Sequence, residues 1–128
     1  MEKVVNVDGK QVRMRASALI PRLYRVKFGR DMIADMRQLQ KAYNRAASLP
    51  KDATEEEKQD AQLSVLDLTI FENVAYMMAK HADKDHVPDT AEEWLDSLDG
   101  VFSVYEVLPH ILELWHLTNQ TTSVPAKK

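Results

Sequence analysis

Between Ala61 and His81 the chain reads AQLSVLDLTIFENVAYMMAKH, with apolar residues at the three- and four-residue spacings of a helix. At about 100° per residue, Leu63, Leu66, Ile70, Val74 and Met77 form one row, and Ala61, Val65, Leu68, Phe71, Ala75 and Met78 form a second. The two rows merge into one broad arc. Only Gln62, Thr69, Asn73 and Lys80 group on a polar side, so this helix needs neighbours over most of its circumference, and the rest of the chain is expected to wrap it. Ser64 and Asp67 fall inside the arc, which predicts a polar contact to a neighbouring element or a surface left open for a partner.

The flanking stretches predict what does the wrapping. Residues 3–15 hold two alternating runs joined by Asp8-Gly9, a pair suited to the positive φ angles of a type I′ turn. That turn sets Val5 opposite Val12 and Val7 opposite Lys10, so Val5, Val7, Val12 and Met14 share one face while Val4, Asn6, Arg13 and Arg15 take the other. A lone two-stranded hairpin is marginal in water, so it must lie on helices or gain strands from a second copy. Pro21 suits the first turn of a helix bearing Leu23, Tyr24 and Phe28, Gly29 closes it, and Asp31 opens the next, in which Met32, Met36, Leu39, Tyr43 and Ala46 recur at helical spacing. Arg37, Lys41 and Arg45 are directed to solvent in that helix.

Three pairs, Thr54 with Glu57, Thr90 with Glu93 and Ser103 with Glu106, fit capping boxes. The first predicts that the central helix begins near Glu55 and runs to about Ala82. The second starts a short helix with Trp94, Leu95 and Leu98, stopped by Gly100. The third starts the last helix, with Phe102 placed to pack on Val107, Val104, Leu108, Ile111 and Trp115 on one face and Leu112 beside them; Pro109 is expected to kink or divide it. The expected fold is mainly α (α+β), an N-terminal β-hairpin followed by about five helices around a central long helix. It forms one domain over residues 1–120, with the hairpin at 3–15, helices over 20–118 and a disordered polar tail at 121–128.

Charge and composition limit the chemistry. Residues 1–48 carry 11 Lys and Arg against 4 Asp and Glu, whereas residues 49–128 carry 6 against 16, so a +7 half meets a −10 half within a net charge of −3. Such halves fold together or pack head to tail between copies more readily than they grip nucleic acid. Cysteine is absent, which removes disulfides, thiol nucleophiles and cysteine-ligated zinc. No window reaches a membrane span and the start lacks a signal-peptide pattern, so an unexported protein is expected. HADKDH, residues 81–86, lacks a metal-ligand spacing and reads as a solvated helix end, and His110 and His116 do not share a face. Neither GxSxG, HExxH nor a glycine-rich phosphate loop occurs, so no catalytic, metal or cofactor residue is assigned and an enzyme is not expected.

The ordered set VDGKQVRMRASALIPRLYRVKFGRDMIADMRQL, FENVAYMMAKHAD, VPDTAEEWLDSL, VYEVLPHILELWHL and a polar QTT tail resembles the tail assembly chaperones of long-tailed phages and prophages of Gram-positive bacteria. The resemblance spans nearly the whole chain, with Ile20 standing before Pro21 where a capping Ser or Thr is expected. It implies a non-enzymatic factor that binds and solubilises the tape measure protein, helps recruit tail tube protein, self-associates into homo-oligomers, works in the host bacterial cytoplasm and leaves the finished virion. It also implies a longer product made by ribosomal frameshifting. No cofactor, nucleic acid or membrane is implied. Phe71, Met77 and Met78 are the expected contacts for partner helices. The alternative is a small helix-turn-helix-like DNA-binding regulator reading through the basic stretch after Pro21, with Arg22 and Arg25 as its contacts, although a hairpin occupies the place of the supporting helix.

Overall fold

The computed structural model describes residues 1–7, 9–60, 63–98, 100 and 102–123. The elements in order are β1 (Glu2–Val7), β2 (Lys10–Arg15), α1 (Ile20–Phe28), α2 (Met32–Ala47), α3 (Glu55–Asp60), α4 (Val65–Ala82), α5 (Ala91–Asp96) and α6 (Val104–Ser123). The fold is therefore mainly α with an N-terminal antiparallel hairpin. Its register pairs Val5 with Val12 and Val7 with Lys10, as the turn chemistry requires. Gly9 sits at φ 78°, the conformation that favours glycine, while Asp8 lies outside the described residues. Val5, Val7 and Met14 are buried and Val12 half-buried, whereas Val4, Asn6, Arg13 and Arg15 face solvent. The apolar face packs on α4 and on α6, which answers the marginal stability of two strands.

Local signals place the helical corner. Pro21 lies in the first turn of α1, Gly29 closes that helix at φ 68°, and the Asp31 carboxylate accepts from the Ile33 amide to start α2. The residue before α1 is Leu19, and no side chain caps the helix; the Ser17 hydroxyl accepts from the Leu19 amide at 3.2 Å in the turn ahead of it. Across the corner, buried Asp35 accepts from the Tyr24 hydroxyl and from the Arg30 guanidinium, all at 2.8 Å. Burial raises the Asp35 pKa, but those three bonds outweigh it and leave the carboxyl below its ordinary range. Tyr24 is pushed up, by burial first and by Asp35 second.

The single helix expected from Glu55 to Ala82 is two. The Thr54 and Glu57 capping box starts α3, which ends at Asp60, and α4 has a capping box of its own at Ser64 and Asp67. The Ser64 hydroxyl accepts from the Asp67 amide while the Asp67 carboxylate accepts from the Ser64 amide, an N-terminal arrangement that a helix interior cannot contain. Asp67 also accepts from Gln38 Nε2 at 2.7 Å, which ties the start of α4 to α2. Ala61 and Gln62 lie outside the described residues.

From Ile70 onward α4 is the pillar of the core, in contact with β2, α1, α2, α5 and α6. Rings link three of these elements and the loop before α6: Tyr24, Phe28, Tyr76, Trp94, Phe102 and Phe71 meet in sequence at centroid distances between 4.8 and 6.4 Å. Phe102 stacks on Phe71 and meets Trp94 edge-on. α5 ends at Asp96, with Ser97 rather than Gly100 as its cap. Pro109 is carried inside an undivided α6, which includes residues 121–123; residues 124–128 of the expected tail lie outside the described residues. Ion pairs Lys3–Glu113, Arg13–Asp83 and Arg45–Asp67 join the basic and acidic halves within one chain.

Candidate interaction groove

α1 carries two faces. Ile20 and Tyr24 point into the core, while Arg22 and Val26, one turn apart, stand on the outer side with Lys27 next to them. Between this outer side and α4 lies an open groove of about 580 Å³, lined by Arg22, Leu23, Val26, Lys27, Tyr76, Met77, Lys80 and Asp89. Val26 is 78% exposed. Tyr76 forms part of the wall, its hydroxyl donating to the Pro88 carbonyl at 2.8 Å, and burial chiefly raises its pKa so that it stays protonated. Lys80 is held by the Val87 and Lys84 carbonyls and by Asp89 at 3.1 Å, and Lys27 donates to the Asp89 carbonyl. Those bonds fix the loop that closes one end. Arg22 and Arg25 have no carboxylate partner among the described residues. An apolar floor under a cationic rim suits one face of an amphipathic helix with acids on its flank.

Of the three residues expected to contact partners, the structure brings only Met77 to this groove, at its floor. Phe71 and Met78 are fully buried in the core, because α4 is enclosed by strand and helices on the side they occupy. Val26 is the residue that sequence reasoning missed. Its signal was an apolar side chain among Arg22, Arg25 and Lys27, off the face of Leu23, Tyr24 and Phe28.

A second exposed apolar surface lies at the start of α4, where Val65, Leu66 and Leu68 are 82%, 49% and 37% exposed. Glu72, one turn beyond Leu68 on the same side, has its pKa raised by burial. The acidic α3, with exposed Glu55 and Glu56, precedes it.

The histidines divide differently from expectation. His86 is exposed and pairs with Asp83 at 2.9 Å, which raises His86 and lowers Asp83. His81 is buried rather than solvated: Nε2 bonds the Ser17 hydroxyl at 2.8 Å and Nδ1 has no partner. Burial first, then the positive charges of Arg15, Lys84 and the N-terminus, lower its pKa. Among the described residues no group of three or more His, Asp or Glu is placed to hold a metal ion. The second helix of the DNA-reading alternative, α2, buries Met32, Met36 and Leu39 and begins with Asp31 and Asp35, while Arg22 and Arg25 are exposed on α1.

No family model, curated protein or solved structure matches the chain. Among the described residues no helix is long and apolar enough to cross a membrane.

Proposed function

We propose that this chain is a tail assembly chaperone of a long-tailed phage or prophage, a non-enzymatic factor that binds helices of the tape measure protein and keeps them soluble until the tail encloses them. The reading rests on the ordered resemblance of the whole chain and on one structural observation, the groove between α1 and α4 with its apolar floor and basic rim. A helix laid there removes Val26 and the exposed part of Leu23 from water over the already buried Met77, which supplies the driving force, while Arg22 and Lys27 select acidic flanks. In the same reading the chain recruits tail tube protein, acts in the host cytoplasm and is absent from the finished particle.

Co-expression with the tape measure protein encoded beside it tests this. The partner is expected in the soluble fraction, bound to this chain, and Val26→Asp is expected to weaken the complex by about tenfold or more. A partner that stays insoluble beside both this chain and any longer frameshifted form overturns the reading. Binding to duplex DNA at low salt that disappears with Arg22→Ala and Arg25→Ala would replace it with the regulator.

A further inference from the structure

Among the described residues, the one buried side-chain nitrogen or oxygen without a hydrogen-bond partner is Nδ1 of His81, a residue only 5% exposed. The imidazole stands at the end of α4 and is bonded to Ser17 just past β2, at the base of the hairpin, where Met1 and Ala16 exchange two hydrogen bonds of 2.9 Å. The neutral ring fits there: Nε2 meets the Ser17 hydroxyl at 2.8 Å, and that hydroxyl also accepts from the Leu19 amide. A proton added to the ring makes both nitrogens donors. Nε2 keeps Ser17, but Nδ1 is then a buried N–H with nothing to accept it, on a ring that carries a buried charge.

The surroundings do not offset that charge. Facing the ring are Arg15 from β2, Lys84 from the loop after α4 and the Met1 ammonium, all positive. Residues 16–20, which lead into α1, bring no charge. The acids close in sequence or register are engaged elsewhere: Asp83 with His86 at 2.9 Å and Arg13 at 3.9 Å, and Glu2, opposite Arg15 in the hairpin, with Arg13 at 3.8 Å. A helix C-terminus ordinarily favours a cation. Here Arg13 already donates to the Ala82 carbonyl at 3.0 Å, and the Asp83 amide bonds the Ala79 carbonyl. The end of α4 cannot swing away, because the helix is packed against β2 and four other helices. Its cover can move, since two strands are marginal by themselves.

We propose that His81 is an acid-sensitive latch: neutral, it holds the base of the hairpin against the end of α4, and once protonated it opens the segment around Met1 and Arg15–Ser17 while the helical core stays folded. The opening is local rather than global. Its direction follows from linkage. In the closed state burial first, and then those cations, hold the ring below its ordinary 6.5; in the opened state it returns to that value, so opening is favoured only as pH falls below 6.5. The exposed His86 is raised by Asp83 and cannot supply this drive. The latch does not depend on the chaperone reading.

Amide hydrogen exchange of the purified full chain, read as protection factors after the intrinsic pH dependence of exchange is removed, tests it. The Ala16 amide, which bonds the Met1 carbonyl, is expected to lose about tenfold or more of its protection between about pH 7 and pH 5, while the Tyr76 amide in the middle of α4 keeps its own. His81→Gln retains a polar group for Ser17 and takes up no proton, and is expected to abolish the loss. Arg15→Gln leaves the ring in place and removes one positive neighbour, and is expected to shrink the loss; it decides the question alone if circular dichroism shows His81→Gln unfolded. Constant protection at Ala16, a loss as large in folded His81→Gln, a loss unchanged in Arg15→Gln, or an equal loss at Tyr76 overturns the proposal.

Discussion

The two ends of α4 are built from similar residues and have opposite fates. From Ile70 to His81 nearly every side chain is buried, and Phe71, Val74, Tyr76 and Met78 meet the hairpin and the other helices. In the first turn Val65, Leu66 and Leu68 are as apolar, yet they face solvent, and Asp67 is the buried member. The contrast teaches that an apolar arc shows how much of a helix needs covering but not how far along it the cover extends. Here sustained burial begins only at Ile70, and the cap at Ser64 anchors the exposed end to α2 through Asp67 and Gln38.

Substitutions at the two ends put that contrast at risk, beginning with the largest effect. Phe71→Ala removes a ring stacked on Phe102 and is expected to cost about 3–5 kcal/mol in chemical denaturation. Leu68→Ala, three residues earlier, is expected to stay within about 0.5 kcal/mol. Equal losses would mean that the first turn is packed after all and that its exposure carries no functional meaning.

Asp67→Ala deletes the carboxylate half of the α4 capping box, which accepts from the Ser64 amide, and the acceptor of Gln38, and is expected to cost about 1–3 kcal/mol. Amide hydrogen exchange should then quicken in the first turn of α4 and not around Tyr76. Faster exchange throughout would show that the helix is one cooperative unit rather than a pillar with a separately anchored end.

At the helical corner that forms the groove's outer wall, Tyr24→Phe leaves Asp35 one donor short and is expected to cost about 1–2 kcal/mol. Asp35 is depressed in the folded state, so its contribution is present above the ordinary carboxylate pKa of 3.8 and is lost as pH falls through the lower folded value. Asp35→Asn is expected to flatten that acid limb, which an unfolding series below pH 4 reads directly.

The gentlest change concerns the far end of α4. His81 is lowered in the folded state, so the unfolded chain takes up its proton first as pH falls below 6.5, and stability declines from there toward the lower folded pKa. Above 6.5 both states are neutral and His81 adds no slope. His81→Phe is expected to reduce the slope in that window while leaving the neutral-pH midpoint nearly in place. An unchanged slope would mean that His81 does not set it; the exposed His86, whose pKa is raised, adds stability as pH falls and cannot supply the decline.

Much of this molecule could be read from short stretches because the physics there is local. The Asp8-Gly9 pair implied the register of the hairpin, Gly29 and Asp31 ended one helix and began the next, and Thr54 with Glu57 started α3. Such signals act over two to four residues and need no knowledge of the rest of the chain. The fresh start of α4 at Ser64 was legible in principle, since Ser64 and Asp67 have the spacing of a cap, but an apolar pattern running through the stretch masked it. The groove was only partly legible: of Phe71, Met77 and Met78, which share one apolar arc, only Met77 lines it, and spacing alone separates neither them nor Val26 from the core positions.

By itself, then, the sequence determined the hairpin, most helix boundaries and the opposition of a basic half to an acidic one, all consequences of backbone preferences and of charges that any reader can count. The tertiary structure alone decided which apolar residues of α4 are enclosed, that Asp35 and His81 are buried, and that Val26 and Met77 line one groove. Burial is set by what packs against a residue from distant parts of the chain, and no local pattern carries that information.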